Sequence, residues 1–128
     1  MKVKRFQPEI RSYFYQLPEE DKIHTNLEAV KNWEPNDPTT VELHIGICIG
    51  TKGKKGDTEF TAYIVTSNLV AELKDKSRLI IIPYYDGWSA VETQIHDILF
   101  TGIDENYDSF CHRVLTHLRW EFEYLKSK

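Results

Sequence analysis

Residues Thr40 to Ile49 read TVELHIGICI. Val41, Leu43, Ile45, Ile47 and Ile49 fall on one side of an extended chain, and Glu42, His44, Gly46 and Cys48 on the other. That alternation belongs to a strand with one face in a core and one less apolar face. Residues 57–66, DTEFTAYIVT, repeat it, with Phe60, Ala62 and Ile64 opposed to Glu59, Thr61, Tyr63 and Val65. Between them lies GTKGKKG, residues 50–56, rich in glycine and lysine. The three pieces predict an antiparallel hairpin with a solvated tip. A phosphate-binding loop would need its lysine after the last glycine and a helix beyond it, and here a strand follows.

Downstream, residues 67–75 predict a short helix capped by Ser67 or Asn68. Leu79 to Ile82, closed by Pro83, reads as a strand buried on both faces. Residues 89–101 predict a helix, with Ser89 and Glu92 spaced as a capping box, an inward stripe of Trp88, Val91, Ile95, Ile98 and Leu99, and Gly102 as its stop. Phe110, Val114, Leu118, Phe122 and Leu125 recur at helical spacing, so a long final helix is expected over residues 106–125.

Upstream the reading is harder. Residues 2–7 alternate as a short first strand, which Pro8 should end. Residues 9–38 form a long segment with an aromatic cluster (Tyr13, Phe14, Tyr15), an acidic trio (Glu19, Glu20, Asp21) and Trp33. A short helix is expected from Thr25 or Asn26, and the aromatics read as a lid over one edge of the core. The fold class expected is α+β: a mostly antiparallel four-stranded sheet with two C-terminal helices packed on one face. One domain spanning residues 1–128 is expected, with an insertion at about residues 9–38.

The chain has 128 residues and a formal net charge of −4. That balance disfavours a general nucleic-acid binder, which needs a basic face. No apolar run approaches the roughly 18 residues of a membrane span, and MKVKRFQPEI has no apolar leader core. Cys48 and Cys111 are therefore expected to be reduced thiols in a cytoplasmic protein. The histidines 24, 44, 96, 112 and 117 show no zinc-ligand spacing, and neither a metal nor a cofactor is expected. Glu92 with His96, or Cys111 with a distant base, would be the starting points of an alternative reading as a small enzyme. An interaction module of another system is a further alternative.

The strand pair around the Gly/Lys turn, the leucine-containing helix after it, the apolar strand leading to Trp88, and the terminal Arg119–Tyr124, RWEFEY, together resemble the immunity protein 8 family. The resemblance covers residues 40–125. It implies a non-enzymatic protein that binds and neutralises the toxic C-terminal domain, commonly a nuclease, of a polymorphic or contact-dependent growth-inhibition toxin. The partner implied is that toxin domain, with no nucleic acid and no membrane. Hot spots of such interfaces are mostly aromatic or arginine residues set among weaker contacts. Because the insertion departs from the family plan, the toxin-contacting residues are expected to be Tyr13, Tyr15, Glu19, Glu20, Asp21 and Trp33, with Glu42 and His44 from the less apolar strand face.

Overall fold

The computed structural model describes residues 6–101, 104 and 106–120. In chain order the elements are β1 (Pro8–Gln16), β2 (Ile23–His24), α1 (Glu28–Lys31), β3 (Glu42–Thr51), β4 (Asp57–Thr66), a 3-10 turn (Ser67–Glu72), β5 (Ile80–Ile82), α2 (Trp88–Phe100), α3 (Tyr107–Val114) and β6 (Arg119–Trp120). The sheet runs β2-β1-β3-β4-β5, and β6 also pairs with β4. Every pairing is antiparallel except β4 with β5. The fold is α+β, as the pattern predicts, with two more strands than expected, each two residues long.

The predicted β3–β4 hairpin forms, with Leu43 opposite Ile64 and Ile47 opposite Phe60. Leu43, Ile45, Ile47 and Ile49 are each no more than 1% exposed. Slipping the register by one residue would turn all four to the other face, losing roughly 6–12 kcal/mol of burial, as much as a typical domain's whole stability. Alternation therefore fixes which face of the hairpin is buried.

Both longer helices cover the isoleucine face. α2 buries Trp88, Val91, Ile95 and Leu99, and α3 buries Phe110 and Val114. Trp88 meets Tyr13 of β1 edge-on, and Phe110 meets Phe60 of β4 in the same way. Arg113 of α3 ties the two helices together. Its guanidinium donates to both oxygens of Asp104, to the Leu99 carbonyl at 2.9 Å, and to the Ile98 carbonyl. Asp104 is thus a buried ion-pair partner, 7% exposed, rather than a solvated helix-start acid.

Several expectations are corrected. Residues 2–5 of the strand expected at 2–7 lie outside the described residues; Pro8, expected to end a strand, instead starts the first one described. Proline is tolerated as the first residue of a strand, where its missing N–H breaks no ladder, and Pro8 sits opposite Thr51. The aromatic cluster is not a lid. It lies in β1, between β2 and β3, with Tyr13 opposite Ile47 and Tyr15 opposite Ile45. The leucine helix after β4 is a 3-10 turn with no side-chain cap. Ile81 is 48% exposed while Ile80 and Ile82 are each at 4%, so β5 is buried on one face only. The Ser89–Glu92 capping box does not form. The residue before α2 is Gly87 at φ 102°, and the Glu92 carboxylate accepts instead from the Trp88 indole N–H at 3.2 Å. Gly102, Phe122 and Leu125 lie outside the described residues.

The expected long final helix stops at Val114. Leu118 is buried as its spacing demanded, yet it follows a turn, after which Arg119 and Trp120 pair with Thr61 and Phe60. Phe110, Val114 and Leu118 stay inward while the backbone changes from helix to turn and then, at Arg119 and Trp120, to strand.

Candidate functional site

The alternation that sends the isoleucines under the helices sends other residues to the opposite face, which none of the described longer helices covers. Register places Phe14 opposite Gly46 there, and His44 opposite Tyr63. Phe14 crosses the Gly46 backbone so closely that a Cβ at Gly46 would lie 2.1 Å from the ring. Beside it, the Tyr63 hydroxyl donates to Glu42, and the His44 ring tilts against Tyr63 at 4.1 Å between centroids. His44 Nε2 lies 3.4 Å from Glu42. Arg119 sits over the Tyr63 ring at 5.1 Å, held on its other side by Asp75 at 3.4 Å. Burial first, then the Glu42 carboxylate, pushes the Tyr63 phenol up to about 12, so it is a hydrogen-bond donor and not an acid at neutral pH.

The β1–β2 connection rises over this face. Leu17-Pro18-Glu19-Glu20 is a tight turn closed by Glu20 N–H to the Leu17 carbonyl at 3.2 Å. Glu19 has φ 68°, where glycine is usual, so the turn has type II character with proline at its first corner. Gln16 donates to the Glu20 carbonyl at 2.6 Å, and His24 lies 3.0 Å from the Glu20 carboxylate. Four residues are thereby locked into one wall.

Between that wall and the sheet lies a groove of about 690 Å³, floored by Phe14, Gly46 and Thr61 and flanked by Leu17, Pro18, Ile23, Glu19, Glu20, Glu42 and His44. A second depression of about 510 Å³ shares Pro18, Glu19 and Glu42 with it and extends to Trp33, Glu34 and Asp37. Five carboxylates line the pair (Glu19, Glu20, Glu34, Asp37 and Glu42), and among the described residues no lysine or arginine does. Asp37 is fixed in a turn by hydrogen bonds from Thr40 and Thr39, which hold its carboxyl below the usual range. The lysines Lys52, Lys54 and Lys55 occupy the opposite end of β3, where Arg11 donates to the Thr51 and Lys54 carbonyls.

Of the residues flagged in sequence, Tyr15, Glu19, Glu20, Trp33, Glu42 and His44 line this double depression. Tyr15 does so as scaffold: it is 3% exposed, its hydroxyl donates to the Asn26 carbonyl at 2.6 Å and accepts from Val30 N–H at 3.0 Å. Trp33 packs edge-on against Tyr85. Tyr13 lies on the helix side against Trp88, and Asp21 is exposed beyond the turn. Phe14, Ile23 and Tyr63 complete the site and were not singled out. Tyr63 was marked by the alternation of its strand, opposed to Phe60, Ala62 and Ile64, whereas Phe14, between two other aromatics, carried no such mark.

The groups behind the enzymatic alternative stand apart. Glu92 is engaged by Trp88, the exposed His96 lies against Phe100, and burial pushes the Cys111 thiol up, away from the reactive thiolate. Among the described residues no cluster of His, Cys, Asp and Glu has the geometry to hold a metal, and no helix is long and apolar enough to cross a membrane.

The model of the family described as Immunity protein 8 matches residues 21–124. The chain belongs to the immunity protein 8 family. The match takes in β2, α1, β3 through β6 and both longer helices, and it begins just after the Leu17–Glu20 turn. No curated protein and no solved structure matched the chain. Family membership makes this an immunity protein and implies a toxin protein as its partner.

Proposed function

We propose that this immunity protein neutralises the toxic C-terminal domain of a cognate polymorphic or contact-dependent growth-inhibition toxin in the bacterial cytoplasm. It does so by binding, without catalysis of its own, and the toxin domain is a nuclease. The observation that carries this reading is the continuous acidic depression on the sheet face opposite the longer helices. A nuclease must hold a polyanion and therefore carries cations around its active site. An acidic surface steers such a domain into contact and competes with its substrate for the same cations. Glu19, Glu20, Asp21, Glu42 and His44 are the contact residues in this reading, with Trp33 at the margin. Tyr13 and Tyr15 hold β1 in place beneath them. The face is preorganised by the locked turn and by Phe14 on Gly46, which lowers the ordering cost of binding.

The test is co-expression with the C-terminal domain encoded by the neighbouring toxin reading frame. Cells making both proteins should survive, and the purified pair should elute as one complex with the toxin's nuclease activity suppressed. Survival without a complex, or a complex that leaves the toxin active, would sink the proposal.

A further inference from the structure

Resting on that reading, we infer that the larger groove is a socket for one long cationic side chain, an arginine or lysine, projecting from the toxin domain. Three features of the groove select that chemistry. Its lining is largely apolar, with Phe14, Leu17, Pro18 and Ile23, and Ile23 is left 64% exposed. Its rim is anionic, with Glu19, Glu20 and Glu42. Its volume, about 690 Å³, is that of a small-ligand site and exceeds what one side chain needs, so the loop bearing that side chain enters with it. Arginine and lysine match such a lining because their aliphatic stems cover apolar surface while the charged head seeks carboxylates at the edge.

The rim acids are unequally engaged, which ranks them. Glu42 already accepts from Tyr63 and lies near His44, and Glu20 is paired with His24. Among the described residues Glu19 has no ion pair and no side-chain hydrogen bond. It stands between the two depressions, on a turn whose backbone is fixed. Glu19 is therefore the acid available to a new partner, with Glu20 and Glu42 adding field and shape. The lysine-rich tip of a second copy offers the same cation, yet −4 of net charge works against self-association, and the toxin is the occupant we assign.

The experiment uses the full chain and a catalytically inactive form of the neighbouring toxin domain, with affinity measured by calorimetry across a salt series. Glu19→Gly with Glu20→Lys should weaken binding about 10- to 100-fold, as loss of a buried charge pair does. Ile23→Asp should weaken it comparably, and Lys55→Glu at the far tip should leave it unchanged. One toxin arginine or lysine, changed to alanine, should reproduce the loss and make it non-additive with the groove variants. Undiminished binding by both groove variants, with the toxin still neutralised, would overturn the socket and leave the proposed function standing. Failure of the unaltered chain to bind or protect would overturn both. A groove-dependent dimer of this chain in the absence of toxin would overturn the assignment of the occupant. Circular dichroism of each variant, required to match the unaltered fold, separates loss of contact from loss of structure.

Discussion

Phe14 and Gly46 face each other across β1 and β3 with no room for a further atom: a Cβ on residue 46 would meet the ring at 2.1 to 2.4 Å. The aromatic ring covers the bare backbone of a strand glycine, which otherwise weakens a sheet through lost packing and excess chain entropy. Gly46→Ala should force the ring outward, into the groove, at a cost of about 1–2 kcal/mol. In a Phe14→Ala background the same change should cost little or stabilise, since alanine suits a strand better than glycine. A double-mutant cycle by urea unfolding checks this. Additive costs would mean the two residues are not coupled.

The Asp104–Arg113 pair carries a second expectation. Asp104 is nearly inaccessible, and its two oxygens accept from Arg113 at 3.0 to 3.2 Å. Arg113 also satisfies carbonyls at the end of α2, which a helix leaves without partners. Asp104→Ala should destabilise by about 3 kcal/mol, because it strands a partly buried guanidinium. Arg113→Lys should not restore the loss, since an ammonium cannot fork to a carboxylate and two carbonyls at once. Denaturant midpoints are the measurement, and a Lys variant as stable as the original would refute the forked geometry.

Alkaline pH should unfold the protein through its tyrosines. Burial pushes the phenols of Tyr13, Tyr63 and Tyr85 from 10.0 up to about 12, and raises Tyr15 as well. For an acid whose folded pKa is raised, the fold favours the neutral form. The stabilisation is complete below the unfolded value of 10.0 and is lost as pH rises toward about 12. Urea midpoints should therefore hold up to pH 10 and fall steeply above it, with Tyr63→Phe reducing the slope. A flat profile to pH 12 would mean that these phenols ionise as readily in the fold as outside it.

Tyr15→Phe isolates one hydroxyl. It bridges β1 to the segment leading into α1, donating to Asn26 and accepting from Val30, whose side chain is fully buried. Removing it leaves a buried N–H and a carbonyl without a partner, a loss of about 1–3 kcal/mol. Toxin affinity at a temperature where both proteins are folded should be unchanged, because the hydroxyl points away from any partner. An affinity loss without a stability loss would place Tyr15 in the interface rather than beneath it.

What could be read in advance followed from periodicity. Leu43 to Ile49 alternates without a break, so the hairpin and its buried face were legible. The helix stripe at Trp88, Val91, Ile95 and Leu99 was legible for the same reason. β1 was missed because Pro8 looked like an end and because Tyr13, Phe14 and Tyr15 are aromatic on both faces, so alternation by polarity vanished there. The C-terminal stretch failed differently. Val114 and Leu118 satisfy helical spacing, yet Arg119 and Trp120 pair with β4, a long-range partner that local spacing does not show. The acids at Glu19 and Glu20 were visible as charge. That they stand on a wall over Phe14 and Gly46 depends on long-range pairing, to which local pattern is blind.

Glu19 offers a test in which stability and binding should move in opposite directions. Its φ of 68° places an L-residue with a side chain in the left-handed region, at a cost of roughly 1–2 kcal/mol. Glycine relieves that strain, and its greater freedom in the unfolded chain returns about 0.5–1 kcal/mol of it. Glu19→Gly should therefore raise stability by about 0.5–1 kcal/mol, visible as a higher thermal midpoint. The same change removes the one groove carboxylate without a partner among the described residues, so toxin affinity should fall and salt should weaken the remaining complex less. A glutamate in this strained position is then explained by what its carboxylate meets. If Glu19→Gly were more stable and bound the toxin just as tightly, the strain would serve no contact, and the cationic side chain would have to be sought against Glu34 and Asp37 in the neighbouring depression.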